Sequence, residues 1–170
     1  MAGQKLLRPN VRIRAHYPEA FANFSAPTAA ELNDPKFSFN IGCASTDDYT
    51  LNQTASETDS SMSPCDATEV QVKKSENYEV SLDFWRDKDI NAAGLFNKAF
   101  DLFKVAGCPF VFSKSLGRAQ NAPYVVGDVV SLYGTVTLSP EEIMGDGELL
   151  MLGGRFRATG DLLVEYEVAA

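Results

Sequence analysis

Three carboxylates in one short segment are the first residues that could do chemistry. Asp83, Asp87 and Asp89 lie within seven residues, in the sequence DFWRDKD. Carboxylates at this spacing could hold a hard cation or act as an acid–base pair. However, Arg86 and Lys88 stand among them and partly neutralise their charge, and the calcium-loop pattern Asp-x-Asp-x-Asp-Gly is absent. We therefore expect ordinary loop carboxylates, with a cation site or an enzyme as the alternative.

Other catalytic groups are scarce in the sequence. His16 is the only histidine, and its place near the N-terminus does not suit a Ser-His-Asp or Cys-His mechanism. Cys43, Cys65 and Cys108 are too far apart for a zinc motif, and no P-loop, dinucleotide or nucleophile-elbow motif occurs. We predict a protein that is not an enzyme, binds no cofactor and keeps reduced thiols, with a Cys43–Cys65 disulfide as the alternative.

The charge of the chain limits its partners. The 170 residues include 15 Lys and Arg against 23 Asp and Glu, a net charge of −8. This balance argues against a surface that grips phosphate backbones, but it suits a protein that lets nucleic acid pass without sticking. The N-terminal sequence has no signal-peptide run, and no segment approaches the ~20 apolar residues of a membrane span. No membrane partner is expected.

Residues 1–25 have the composition of an arm. Basic residues alternate with apolar ones, and Pro9 and Pro18 interrupt the segment. Aromatic side chains exposed to solvent would bury no apolar surface. This favours a segment ordered against a neighbouring subunit over a flexible terminus. The candidate contact residues of this arm are Arg8, Arg12, Arg14, Tyr17, Phe21 and Phe24.

A strand and then a helix enclose the carboxylate segment. Residues 78–84 alternate apolar and polar side chains, which predicts a half-buried strand. Trp85 falls on the polar face of this strand, so we expect it to meet the helix or a neighbouring subunit. The apolar spacing then becomes helical and predicts one amphipathic helix over about 92–105, with Asp89 or Asn91 as its N-cap.

Two segments precede this strand. Thr28 and Glu31 fit a capping box and predict a short helix at about 28–33. Residues 42–69 are rich in Ser, Thr and Asp and contain no Lys or Arg, so we predict a long polar loop with some strand, which is either a contact loop or disordered. The candidate contact residues of this loop are Asp47, Asp48 and Tyr49.

The C-terminal half is predicted to consist mostly of strands. The sequence CPFVFSKS is typical of a buried strand, and the next strand should turn Val130, Leu132, Val136 and Leu138 to one face. Two last strands should join near Gly160-Asp161, with Val164, Tyr166 and Val168 facing the core. The fold class is therefore mainly β (α+β), with a single domain over residues 26–170.

The order of several motifs resembles a known family. PTAAELN comes first, SPCD follows a polar loop, and YEVSLDFWRDKD leads into AGLFNKAFDLF. VGDVVSLY and the ending GRFRATGDLLVEYEV complete the series. Over about residues 26–168 the chain resembles the major tail tube proteins of long-tailed bacteriophages, notably phages of actinobacteria.

The resemblance implies a β-sandwich or barrel-like domain with a flanking helix. It implies rings, usually hexameric, that stack into a tube through which viral DNA leaves the capsid. The implied partners are further copies of the chain, the tape measure, terminator and distal tail proteins, and viral DNA that passes without sequence-specific binding. The protein would be assembled in the host bacterial cytoplasm and end in the virion tail. Alternatives are another ring protein of this fold, such as a tail terminator, a tail-completion protein or a secretion-system tube, or a small β-barrel ligand-binding module.

A channel for DNA should be acidic, and the polar faces of strands can supply its wall. The candidate channel-lining residues are Glu79, Asp83, Glu165 and Glu167. Ordinary outer-surface carboxylates are the alternative.

Overall fold

The computed structural model describes residues 10–54, 57–61, 70–75, 77–87, 89, 91, 93–144 and 150–170, and for residues 47, 48, 57–61, 70–75, 143, 144 and 150–152 only the backbone. The strands are β1 Val11–His16, β2 Ser38–Asn40, β3 Ser45–Gln53, β4 Glu57–Ser61, β5 Val70–Ser75, β6 Tyr78–Trp85, β7 Pro109–Leu116, β8 Val129–Thr137, β9 Glu141–Met144 and β10 Leu150–Glu167. The helices are α1 Ala29–Asn33, α2 Leu95–Phe103 and a 3-10 turn, Pro18–Ala20.

Eight of these strands form one curled, half-barrel sheet. The strand order is β2-β1-β7-β8-β10-β6-β3, with β9 beside β10, and every pair is antiparallel. The path ends at two edge strands, the short strand β2 and the nine-residue strand β3, and β9 also has a free edge because it pairs only with β10 among the described residues. β4 and β5 form a separate antiparallel hairpin. The mainly β prediction is confirmed.

The concave side of the sheet and helix α2 enclose the first core. Tyr78, Val80, Leu82 and Phe84 of β6 are buried there, as their period-2 spacing predicted. Phe103 of α2 lies among four rings, Phe84, Phe110, Phe112 and Phe156. Burial of such a stripe of apolar side chains is what holds an amphipathic helix against a sheet.

A second core lies on the opposite face of β7 and β8. It consists of Leu32, Val111, Tyr124, Val130, Leu132 and Val168. The predicted capping box is present in α1, since the Thr28 side chain accepts from the Glu31 N–H and the Glu31 carboxylate accepts from the Thr28 N–H. This cap holds α1 over the second core. The central strands are therefore covered on both faces.

Burial on both faces overturns part of the predicted strand orientation. In β8, Val130 and Leu132 are buried as predicted, but Tyr133, Thr135 and Thr137 are buried on the other face, and Leu138, just after the strand, is exposed. The two faces of this strand pack against different cores, so apolar alternation does not mark a single inner face.

The C-terminal segment is one long strand and not two. β10 stays paired with β8 from Phe156 to Glu167, with register shifts at two bulges. The Tyr78 hydroxyl accepts from the Thr159 and Gly160 N–H groups and donates to the Gly134 carbonyl, which fixes the first bulge. The second bulge, where Glu165 has a φ of 48°, leaves Val164 exposed and not in the core.

Three predicted boundaries also differ from the structure. The predicted polar loop 42–69 contains β3 and β4, because its Ser, Thr and Asp residues pair as strands; residues 62–69 lie outside the described part. Helix α2 begins after Gly94, which is its N-cap without a side-chain bond, so neither Asp89 nor Asn91 caps it. Most of the predicted arm belongs to the fold, because β1 lies between β2 and β7.

Candidate functional surfaces

The three carboxylates of the DFWRDKD segment do not form one site. The Asp87 side chain accepts from the Asp89 N–H, and the Asp89 side chain accepts from the Asn91 N–H, so both stabilise the turns of their own loop. Asp83 pairs with Arg155 of β10 at 3.0 Å. No cluster of three or more metal-binding side chains occurs among the residues that the structure describes.

The arm residue Arg12 is at the centre of a buried polar network. Its side chain has no exposed surface and donates to Asp128 Oδ2 at 2.8 Å and to Ser115 Oγ at 3.2 Å. It also donates to the carbonyls of Ala122 and Pro123. The guanidinium therefore connects β1 to the loop between β7 and β8. Because the side chain is buried within the subunit, it does not contact a neighbouring subunit.

Asp128 holds the other side of this network. Besides Arg12, it accepts from the Val125 N–H and from Arg118 Nε at 3.0 Å. Burial opposes ionisation of this carboxyl, but the bonds from Arg12, Val125 and Arg118 outweigh burial and lower its pKa. The Arg12 guanidinium also lies over the Tyr124 ring, 3.6 Å from its centroid. Neither a motif nor a spacing in the sequence indicated Asp128, Arg118 or Tyr124 as partners of Arg12.

Arg14 and His16 follow Arg12 on the same face of β1. Arg14 donates to the Leu32 carbonyl and to Asn33 Oδ1, both at 3.3 Å, which holds α1 in place. His16 Nε2 lies 2.7 Å from Ser113 Oγ. Burial, assisted by the charge of Arg14, lowers the pKa of His16 to about 3. His16 is thus a neutral, structural residue at ordinary pH.

Protonation of His16 is expected to make the fold sensitive to acid. The unfolded histidine takes up a proton near pH 6.5 and the folded one only near pH 3, so stability decreases as the pH falls from 6.5 towards 3. Between pH 6.5 and 5 the loss should approach ~2 kcal/mol. Urea unfolding of the wild type and of His16→Asn at several pH values between 6.5 and 5 measures this decrease in the free energy of unfolding. A variant with an unchanged pH slope would contradict this role.

The three aromatic residues of the predicted arm also pack inside the subunit. Tyr17 stacks on Phe110 with ring centroids 5.1 Å apart, and Phe21 makes an edge contact with His16 at 5.3 Å. Phe24 follows at 6.2 Å from Phe21 and is half-buried. Their rings cover the sheet of their own chain. The prediction had weighed only a solvent-exposed arm against an arm bound to a neighbouring subunit, and packing within the subunit is a third possibility. Arg8 lies outside the described residues.

The remaining contact candidates lie at and beside the free edge of the sheet. Asp47, Asp48 and Tyr49 belong to the edge strand β3, and Tyr49 packs partly against the first core. Trp85 ends β6, is half-buried, and donates its backbone N–H to the Ala44 carbonyl. The structure thus groups these four positions on neighbouring strands. Their contacts with another subunit stay a prediction.

The four channel candidates lie on opposite faces of the sheet. Glu79 and Asp83 alternate with residues of the first core, so they point to the convex face. Glu167 pairs in register with Val129, and Glu165 lines a groove with Val129 and with Tyr133 of the first core. Register partners share a face. A channel wall formed by one face of the sheet can therefore include Glu79 and Asp83 or Glu165 and Glu167, but not both pairs.

Comparison with known proteins agrees with this architecture. A family model described as phage tail tube protein matches residues 3–170. The chain belongs to the phage tail tube protein family. The search of curated proteins returned no match. The family explains the mainly β sheet, and it makes this tail tube protein a structural component of the virion tail.

Three further findings concern this tail tube protein. Of the helices in the described ranges, none is long and apolar enough to cross a membrane. Cys43 and Cys108 are free thiols, and Cys65 lies outside the described residues. The match begins at residue 3 and so includes the predicted arm, which the motif resemblance had left out.

Proposed function

We propose that this tail tube protein self-assembles into stacked rings, usually hexameric, whose channel carries viral DNA into the host. The observation that carries the proposal is the family match over nearly the whole chain. Self-assembly is supported by the open sheet, which has unpaired edges at β2 and β3 within the described part of the chain. Long free edges are templates for pairing with another chain, and monomeric proteins normally protect them.

The ring contacts would be centred on the long edge strand β3. Its nine residues, together with Trp85 of the neighbouring strand, present backbone groups and half-buried rings at one side of the subunit. Asp47, Asp48 and Tyr49 are the contact residues that this placement favours. Arg8 remains a further candidate, in the segment before β1. The tape measure protein would contact the subunits from the lumen, and the terminator and distal tail proteins would contact only the rings at or near the tube ends. Assembly would take place in the host cytoplasm.

For the channel wall we favour the convex face of β6. Glu79 is exposed there, and Asp83 is held by Arg155, which neutralises part of the wall charge. Exposed carboxylates repel phosphates and keep DNA from sticking. Glu165 and Glu167 lie on the opposite face, where Glu165 lines a groove with the exposed Val129 and Val164, and such apolar side chains suit a contact surface better than a wall in contact with water.

Electron cryomicroscopy of the purified protein, alone and with its tail initiation partners, tests the proposal. We expect hollow tubes of stacked rings in which the β6 face carrying Glu79 lines the lumen. A protein that stays monomeric with its partners at high concentration would contradict the proposal. A single ring per virion would instead indicate a terminator, and Glu165 in the lumen would reverse the choice of face.

A further inference from the structure

A small pocket on the second-core side of the sheet is lined by aromatic rings, and we call it the arm pocket. Phe21 and Phe24 line it with ring centroids 6.2 Å apart and ring planes inclined by 69°. Val111 and Gly134, register partners on β7 and β8, also line it, and Val111 belongs to the second core. Its volume is about 250 Å³. Because sites for drug-sized ligands have roughly 300–1,000 Å³, this volume suits a single side chain.

The first bulge of β10 brings one carboxylate, that of Asp161, to this pocket. The bulge lies closely on β8, because a Cβ at Gly134 would be 2.8 Å from the Asp161 Cβ and 2.7 Å from Thr159 Oγ1. Any side chain larger than that of glycine would therefore displace the bulge. The Asp161 carboxylate accepts from Thr159 Oγ1 at 3.1 Å and is exposed. Its position is thus part of the fold, while the carboxylate stays open to a partner.

The charge of the pocket is not compensated. Asp161 is the only charged residue among the described residues that line it, and it forms no ion pair with any of the residues that the structure describes. Aromatic rings inclined to each other can surround a cation with their electron-rich faces, and a neighbouring carboxylate adds a charged acceptor. The arm pocket therefore has the chemistry to bind the ammonium or guanidinium end of a side chain.

Few cations of the chain are free to enter such a pocket. Most of the described Lys and Arg side chains are engaged within the subunit, in ion pairs, over aromatic rings or in hydrogen bonds. Lys98 of α2 and Arg157 of β10 are exposed and have no such contact within the described part of the chain. A partner cation from a second copy would therefore be one of these two.

The side of the sheet on which each cation lies decides between them. Arg157 pairs in register with Val136, which is on the same face of β8 as Gly134, so Arg157 shares the side of the pocket. Two copies that meet through this one side use the same patch twice and close as a dimer. Lys98 lies on α2, across the sheet, where its own pocket is out of reach. A contact between opposite sides of two copies is head-to-tail and can continue around a ring.

We propose that the arm pocket binds the Lys98 side chain of a second copy of this chain. The ammonium group lies between the Asp161 carboxylate and the rings of Phe21 and Phe24. Leu95, one helical turn from Lys98 and 40% exposed, contacts the apolar rim. Two rings of the predicted arm thus pack within their own subunit and still receive a neighbour. This inference rests on the proposed ring assembly and names one contact within it.

Carbodiimide cross-linking of assembled tubes tests this contact, because the reagent joins a paired amine and carboxylate into an amide. Tubes are formed from a mixture of isotopically light and heavy subunits, and linked peptides are identified by mass spectrometry. We expect a link between Lys98 and Asp161 that carries mixed labels. The internal control is the link between Lys104 and Asp101, which lie 2.7 Å apart in one chain and should carry a single label.

The cross-linking result separates this contact from the proposed function. Tubes that give the control link but no link between Lys98 and Asp161 would overturn the contact and leave tube formation intact. A link between Lys98 and Asp161 that never carries mixed labels would show a contact within one chain and would overturn the inference as well. A protein that forms no tubes contradicts the proposed function, and the pocket is then tested in the isolated subunit.

Nuclear magnetic resonance titration of the isolated subunit measures the pocket without assembly. The probe is N-acetyl-lysinamide, and the matched control is N-acetyl-norleucinamide, which has a similar apolar stem but no amine. We expect the lysine probe to shift the amide resonances of Thr135, Thr159 and Asp161 several-fold more than the control does. Asp161→Asn keeps an acceptor for Thr159 Oγ1 and should abolish this difference. Equal shifts with both probes, or a difference that persists in Asp161→Asn, would contradict a cation site.

Discussion

Asp128→Asn is expected to lower the free energy of unfolding by about 3–5 kcal/mol. The carboxylate is almost fully buried, and it is the one negative charge that contacts the buried Arg12 guanidinium among the described residues. The amide keeps the size of the side chain but leaves that guanidinium without a counter-ion in a medium of low polarity. Guanidinium chloride unfolding of both proteins measures the difference.

Two variants separate the buried pair from the rest of the network. Arg118→Ala removes the exposed partner of Asp128, whose side chain is 55% exposed, and should cost no more than about 1 kcal/mol. Replacing Arg12 by Met and Asp128 by Leu together should be less harmful than Asp128→Asn, because no lone charge remains buried. If Asp128→Asn is as mild as Arg118→Ala, the buried pair is not what holds the loop.

Phe103→Ala is the second change with a large expected effect, a loss of about 3–5 kcal/mol. Phe103 is 1% exposed and is the residue through which α2 enters the first core. Its ring lies 5.1 Å from Phe110 and 5.3 Å from Phe156, centroid to centroid. Truncation would leave a cavity between the helix and three strands, which the rigid sheet cannot close.

Phe100→Ala on the same helix is the matched control. Phe100 is half-exposed, and the Arg86 guanidinium lies over its ring at 3.7 Å. Its truncation should cost roughly 1 kcal/mol, the size of one exposed cation–π contact. Thermal and denaturant unfolding of both variants, with circular dichroism to follow the helix, gives the comparison. Equal losses at both positions would mean that α2 is held by its surface and not by Phe103.

Local patterns predicted the elements that depend on neighbouring residues. The alternation of residues 78–84 marked β6 and its buried face, and the Thr28–Glu31 capping box marked the start of α1. The helical spacing found α2, although its ends were two or three residues too wide. These features follow from backbone geometry over a few residues, so the sequence is enough to predict them.

The same patterns failed where two cores meet one strand. Arg12, Arg14 and His16 alternate with Ile13 and Ala15, which looked like an arm with a charged face. In the structure that face is buried against Tyr124 and Asp128, which come from more than a hundred residues later in the chain. The regular spacing of three polar residues on one strand was a signal that this face could be buried. The carboxylate that pairs with Arg12, however, lies far away in the sequence, so local patterns could not identify it.

The sequence by itself therefore determined the fold class and the tail tube family, because strand periodicity and ordered motifs are properties of the chain alone. Only the tertiary structure decided which face each charge occupies. It separated Glu79 and Asp83 from Glu165 and Glu167, buried Arg12 within the subunit, and placed Asp161 beside Phe21 and Phe24. Sheet curvature, bulges and strand order set these positions, and all three depend on contacts between residues distant in the chain.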